Sequence, residues 1–192
     1  ALRMAMLEYA AGTSRLAVPE LVLAQASNGA LGFAGSLRLS GPLPGGAASN
    51  LAMPVEGTWS PGRGLAVWRK CTAVSFDSLA LANLTLRKRA LTLCPQNGGA
   101  ILAMDARGLR LAAGASSPDL SGMLGDTPIR VTGGAAGFAW PGSLAMRAVD
   151  VALGDPKAAS HFRVANLAAR IGRDVSGRFT GGNVSLAEVP LD

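Results

Sequence analysis

Cys71-Thr-Ala-Val-Ser-Phe-Asp-Ser-Leu-Ala-Leu-Ala-Asn-Leu-Thr-Leu-Arg-Lys-Arg-Ala-Leu-Thr-Leu-Cys94 decides the fold. Its apolar residues alternate with small or polar ones, the pattern of strands with one buried face. It holds both cysteines of the chain, and basic residues cluster just before it (Arg69-Lys70) and inside it (Arg87-Lys88-Arg89). Outward in both directions the theme repeats as short alternating runs separated by Gly, Asn, Asp and Pro.

Upstream, residues 15–25 alternate through Leu16, Val18, Leu21 and Leu23 and break at Pro19, which predicts an edge strand or a bulged one. Ser27-Asn28-Gly29 predicts a tight turn. Leu31, Phe33, Gly35, Leu37 and Leu39 then share one face of a long strand, which Ser40-Gly-Pro-Leu-Pro-Gly-Gly46 is expected to stop. Residues 51–59 form a weaker strand pattern, and residues 65–68 lead into the opening stretch. Downstream, Pro95-Gln-Asn-Gly-Gly99 is a turn. Ile101 and Ala103, with Leu109 and Leu111, flank Asp105-Ala-Arg-Gly108 as a hairpin. Short strands follow at residues 120–124, 128–131 and 137–140. Residues 144–153 have the Ala, Leu and Met content of a helix, but Met146 and Ala148 followed by Val149 and Val151 suit a kinked strand equally well. Residues 161–171 lead to a turn at 172–174, then to residues 175–179, a turn at 181–183, and Val184 and Leu186. Phe179-Thr-Gly181 with Val184-Ser-Leu186 echoes Phe33-Ala-Gly35 with Leu37-Arg-Leu39, suggesting a repeated hairpin unit. Turn signals about every 8–12 residues, with almost no helical periodicity, predict an all-β chain.

The 192 residues suffice for one large β-domain or two small ones with a sizeable core. Hydrophobic residues make up 49% but aromatics only 5%, so Leu, Ala and Val supply the apolar surface. Low charge (16%) and a positive mean hydropathy imply either a very large core or an apolar surface with a purpose. No apolar run reaches the roughly 18–20 residues of a membrane-spanning helix. The first eight residues, interrupted by Glu8, do not read as a signal peptide. The chain starts without Met and ends in mid-pattern, so residues 1–192 are expected to be one β-rich segment internal to a larger protein. A net charge of +6 favours acidic partners such as phospholipid headgroups, or simply keeps an apolar β-protein soluble. Nucleic acid is not expected as a partner, because few aromatics interleave with the basic residues and no nucleic-acid motif accompanies them.

His161 is the only histidine, which rules out a histidine triad or a multi-histidine metal site within the chain. Asp105, Asp119, Asp126, Asp155 and Asp174 are spread singly, without a calcium-loop spacing, and nothing points to a glycosidase pair. The glycine-rich residues 41–46 lack the lysine and following helix of a phosphate-binding loop. Asn83-Leu-Thr85 and Asn183-Val-Ser185 fit a glycosylation sequon, relevant only in a eukaryotic secreted protein. The expectation is therefore no enzyme, no metal and no cofactor. The cysteines admit two readings: buried free thiols, or one disulfide in an oxidising compartment, which we prefer. If the chain reverses between Ala82 and Asn83, Leu81 faces Leu84, Leu79 faces Leu86, Asp77 faces Lys88 and Cys71 faces Cys94. That register places a leucine cluster and a salt bridge on the face of the sulfurs. A rival register turns at residues 87–89, sends Cys94 towards position 82 and leaves Cys71 out of reach. Sequence leaves the register open. The disulfide would close a loop worth about 3–3.5 kcal/mol.

Phe76-Asp-Ser-Leu-Ala-Leu-Ala-Asn-Leu-Thr-Leu86 and Phe162-Arg-Val-Ala-Asn-Leu-Ala-Ala-Arg-Ile171 resemble the LxLxNLxL strands of the bacterial AsmA-like superfamily, which includes TamB-, YhdP- and YdbH-type proteins. The succession Leu21-Val-Leu23, Asn28-Gly29, residues 33–46 and Leu91-Thr-Leu-Cys-Pro95 is most similar to YdbH-like proteins. These motifs are degenerate apolar patterns, not catalytic signatures. The resemblance implies an elongated antiparallel meander curled into a U-shaped apolar groove, with a closed two-sheet β-sandwich as the alternative. It implies a periplasmic location, a parent protein anchored in the inner membrane, and phospholipid moved between inner and outer membranes. Acyl chains would be the partners inside, and an outer-membrane lipoprotein a partner of the parent protein. Leu, Val and Ala suit acyl chains, which need no directional hydrogen bonds. On same-face alternation the groove candidates are Phe33, Leu37, Leu39, Leu79, Leu81, Leu84, Leu86, Leu109 and Leu111. The second reading is a structural or adhesive β-domain with no ligand, and a carbohydrate-active enzyme is a distant third.

Overall fold

The computed structural model describes residues 1–43, 46–171 and 175–187, and these form fifteen strands and no helix. They are β1 (Leu2–Ala11), β2 (Ser14–Gln25), β3 (Leu31–Leu43), β4 (Gly46–Ser60), β5 (Gly64–Val67), β6 (Thr72–Leu81), β7 (Leu84–Pro95) and β8 (Leu102–Asp105). After them come β9 (Gly108–Ala115), β10 (Asp119–Leu124), β11 (Thr127–Thr132), β12 (Ala136–Trp140), β13 (Gly142–Leu153), β14 (Ser160–Ile171) and β15 (Val175–Ser185). All belong to one antiparallel sheet, not to the two sheets of the sandwich alternative.

The sheet forks and rejoins. β1 to β4 are a simple meander. One part of β4 pairs β5 (Gly57↔Val67), and its first part pairs β6 (Ala48↔Leu79). The β5 arm continues through β8, β9 and β12 to the first half of β13. The β6 arm continues through β7, β10 and β11 to the second half of β13. A cross-tie joins the arms where Cys94 and Pro95 of β7 pair with β9. β14 and β15 complete the order beyond β13.

The opening stretch is the β6–β7 hairpin. Leu81↔Leu84, Leu79↔Leu86 and Thr72↔Leu93 pair across it, and Ala82 takes a positive φ of 50° in the two-residue turn. This selects the register that turns at Ala82-Asn83 over the rival one. Cys71 and Cys94 then meet at the open end and form a disulfide, with their Cα atoms 3.9 Å apart. One detail differs from expectation. Thr72 and Phe76 are buried and Val74 is half-buried, while Cys71, Ala73, Ser75 and Asp77 are exposed; past Asp77 the burial steps to Leu79 and Leu86. The leucines thus share a face with Phe76, and the sulfurs lie on the other. The Lys88 side chain of the expected ion pair with Asp77 lies outside the described residues.

That step is one of several bulges that keep the long strands in phase. Asn50 in β4 has φ 49°, its N–H donates to Ser40 Oγ at 2.9 Å, and its amide nitrogen donates to Asp77 Oδ2. The register of β3 against β4 shifts at this point. In β13, Ala148 has φ 48°, which makes residues 144–153 a kinked strand and not a helix. Each bulge inserts an extra residue, so the alternation resumes with its apolar members on the original side. β2 shifts register between Ala17 and Glu20, at the expected Pro19 break.

Three expectations are corrected, the first being the turn at residues 181–183, which instead continue β15 in register with β14. Secondly, residues 40–46 do not stop β3 at Ser40, because it runs on to Leu43. Gly41, at φ 136°, lies so close to Ser14 that a Cβ there would sit 2.8 Å from its Cα. Pro44 and Gly45 lie outside the described residues, as do the 172–174 turn and the chain end after Ala187. Thirdly, the residues up to Glu8, to which the pattern assigns no strand, belong to β1. The core is thin: Ala48, Val67, Phe76, Leu86, Ile101 and Val149 are buried, but no side chain among the described residues is fully enclosed.

Candidate functional site

Alternation and register together sort the side chains onto two faces. On one face, Leu23, Phe33, Gly57, Val67, Leu102, Leu111 and Trp140 are successive cross-strand partners over seven strands. Beside this row runs a second one, Leu31, Trp59, Leu65, Met104 and Leu109. It is open to solvent: Trp59 is 43% exposed, Met104 50% and Leu109 41%. The other arm repeats the arrangement. Ala48, Leu79, Leu86, Gly122, Ile129 and Leu153 form one row, and Gly46, Leu81, Leu84 and Leu124 the outer one. Leu81 and Leu124 are again exposed.

The glycines in these rows are close-approach positions. A Cβ on Gly57 would lie 2.4 Å from the Phe33 ring, and one on Gly122 would lie 1.9 Å from the Thr85 carbonyl oxygen. Such positions let the neighbouring chain cross tightly at a twisted part of the sheet.

The nine residues singled out from sequence all fall on this apolar face, though not in one cluster. Phe33 and Leu111 stand in the same cross-strand row, with Leu109 two positions along β9. Leu37 and Leu39 pair with Met53 and Leu51 of β4. Leu79, Leu81, Leu84 and Leu86 are mutual partners on the second arm. Sequence reasoning missed Trp59, Met104 and Trp140, which sit at strand ends beside turns. The signal for Trp59 was present, because it follows Val55 and Gly57 in strict alternation.

The opposite face carries the ion pairs. Arg130 donates to Asp119 through Nε and Nη2 at 3.0 and 2.8 Å, which raises the guanidinium pKa. Asp150 accepts from Arg163 Nε at 3.0 Å and lies 2.8 Å from His161 Nδ1. Burial pushes the Asp150 carboxyl up, but the His161 and Arg163 contacts outweigh it and leave it below the ordinary value. At the β8–β9 turn, Asp105 accepts from the side chain and backbone N–H of Arg107 and from Arg110 Nη2 at 2.7 Å. These contacts, the Arg107 side chain first, hold its carboxyl far below the usual carboxylate range. Among the described residues no three or more metal-capable side chains come together, and no helix is long and apolar enough to cross a membrane.

The arrangement offers hydrocarbon-like walls on one side and a solvated, ion-paired surface on the other. It can sequester apolar matter without directional chemistry. Residues 3–192 match the family model described as YdbH-like, intermembrane phospholipid transport protein YdbH. No curated protein and no solved structure matches the chain. With the match spanning nearly all its length, the chain belongs to the YdbH-like family of intermembrane phospholipid transport proteins.

Proposed function

We propose that this chain is a segment of a periplasmic bridge whose apolar face forms a groove for phospholipid acyl chains. One observation supports the reading above the rest. Apart from Leu7, the large exposed apolar side chains of the strands lie on a single face, and the ion pairs lie on the other. A soluble domain rarely leaves so much contiguous apolar surface open unless something occupies it. Each lipid methylene moved out of water onto such a wall contributes about 0.8 kcal/mol, so an acyl chain is held by summed contacts and slides without breaking any hydrogen bond.

In this reading Phe33, Leu37, Leu39, Leu109 and Leu111 line one arm and Leu79, Leu81, Leu84 and Leu86 the other, as one continuous wall. The chain is one β-rich segment of a larger protein anchored in the inner membrane, and an outer-membrane lipoprotein engages that parent protein. It performs no catalysis. The test is native mass spectrometry of the gently purified chain. Phospholipid should co-purify, and Met104→Glu or Leu109→Glu should deplete it without altering the circular dichroism spectrum. A lipid-free mass under conditions that keep lipid bound would favour a structural β-domain with no ligand.

A further inference from the structure

The loop that joins β5 to β6 crosses the ion-paired face, and it is fastened at both ends. Trp68, at φ 56°, donates its indole N–H to the Pro54 carbonyl at 2.6 Å and its backbone N–H to Glu56 O at 2.9 Å. Its own carbonyl accepts from the Ile101 N–H at 3.0 Å. Three residues on, Cys71 is tied to Cys94. Arg69 and Lys70 between these anchors overhang a cavity of about 370 Å³. The cavity has a floor of small residues, among them Val22, Ala24 and Ala34, and Glu56 on its wall. Val22, Ala34 and Glu56 are cross-strand partners, so the floor is the side of β2–β4 turned away from the proposed groove. A second hollow shares Arg69 and adds Arg63.

The cations on this face are of two kinds. Arg15, Arg110, Arg130 and Arg163 each hold a carboxylate. Among the described residues no ion pair engages Arg63, Arg69 or Lys70, although Glu56 lines the same cavity as the last two. Among the described residues Arg3 and Arg38 hold no ion pair either. A backbone anchored at both ends that places two cations, a carboxylate and short apolar side chains around one cavity suits a ligand with a phosphate, a nearby ammonium and a few methylenes. The volume lies within the range of small-molecule sites.

We propose that this cavity binds the headgroup of an aminophospholipid, at a site separate from the groove. Arg69 supplies the planar, bidentate donor for the phosphate and Lys70 a second positive charge. Glu56 accepts from the ammonium and so selects for it. The Cys71–Cys94 staple and the Trp68 hydrogen bonds hold the loop backbone in place, so only the two side chains are ordered on binding.

The test titrates the 192-residue chain with dihexanoyl phosphatidylethanolamine, dihexanoyl phosphatidylglycerol and inorganic phosphate, each below any micelle-forming concentration, and follows backbone amide shifts. The ethanolamine lipid should bind saturably, with shifts at Ala34, Glu56, Arg69 and Lys70. Arg69→Ala with Lys70→Ala should weaken it by about tenfold or more. Glu56→Gln should abolish the preference over the glycerol lipid while phosphate recognition persists. Equal affinity for inorganic phosphate, or indifference to the double variant, would overturn the proposal. Met104→Glu keeps the two sites distinguishable: it should deplete groove lipid and leave this titration unchanged. If it weakens the titration equally, the headgroup is held at the groove and this site is refuted, whereas loss of groove lipid alone leaves it standing.

Discussion

The two faces of β2–β5 are built from the same backbone and differ in almost everything else. One presents Leu23, Phe33 and Val67, apolar side chains that belong, with every strand among the described residues, to a single sheet. The other presents Val22, Ala24, Ala34 and Glu56, mostly short side chains under a loop carrying Arg69 and Lys70. In a lattice of period two, a slip of one residue would exchange these faces wholesale. Register therefore decides which side chains each face presents. The bulges at Asn50 and Ala148 sit where a long strand would otherwise change sides.

The deepest way to break the contrast is to remove what holds the strands in register. Phe76→Ala deletes one of the few buried large side chains. It should cost about 3–5 kcal/mol in urea unfolding. A loss under about 1 kcal/mol would mean that the thin core is not what fixes the apolar face. Next comes the staple. Cys71→Ser with Cys94→Ser should cost about 3 kcal/mol through loop-closure entropy. It should also loosen residues 68–71 over the polar face before it disturbs the leucine rows, a sequence that hydrogen exchange resolves. Uniform deprotection of both faces would contradict the separation drawn between them.

Much of this was legible in the sequence because alternation is a local signal. Leu79, Leu81, Leu84 and Leu86 identified their own hairpin partners once the midpoint between the cysteines was taken as the turn. Ala82-Asn83 is a mediocre turn by residue type, and only the positive φ accepted by Ala82 makes it work. What stayed hidden depends on long-range pairing. The fork at β4 cannot be read from residues 46–60, because one continuous alternation serves two different partners. Nor could sequence show that a side-switch at Asp77 separates the leucines from the sulfurs, since it lies beside the Asn50 kink of another strand, to which Asp77 is hydrogen-bonded. In the sequence Arg69-Lys70 is only a basic cluster, and it acquires a cavity through the folding of β2–β4 beneath it. Trp59 and Met104 were missed because strand ends resemble turns.

Smaller perturbations sharpen the comparison without dissolving it. Gly57→Ala places a methyl 2.4 Å from the Phe33 ring and 2.6 Å from the Ala66 carbonyl oxygen. The overpacking should cost about 1–3 kcal/mol. Phe33 would be displaced, so loss of bound lipid should exceed what the stability change alone explains. Met104→Glu, at an exposed rim position, should shift stability by no more than about 0.5 kcal/mol while depleting lipid. A large destabilisation there would show that the rim packs against protein.

The smallest effect concerns a residue beside that rim. Met104 faces the apolar side and Asp105 the other, so adjacent residues answer to different conditions. Asp105 is held far below the usual carboxylate range by Arg107 and Arg110. A carboxyl with a depressed folded-state pKa stabilises the fold above its unfolded value of about 3.9, and that contribution is lost as pH falls through the folded value. The difference in melting temperature between the wild-type chain and Asp105→Asn should therefore be full at pH 7 and shrink below about pH 4. Screening at this exposed turn keeps it modest even at its maximum. The β8–β9 hairpin should fray first, carrying Met104 and Leu109 out of line, so acid should weaken lipid retention on this arm before the disulfide-stapled one. A gap between the two proteins that widens as pH falls would carry the wrong sign and show that Asp105 does not hold this hairpin through its charge.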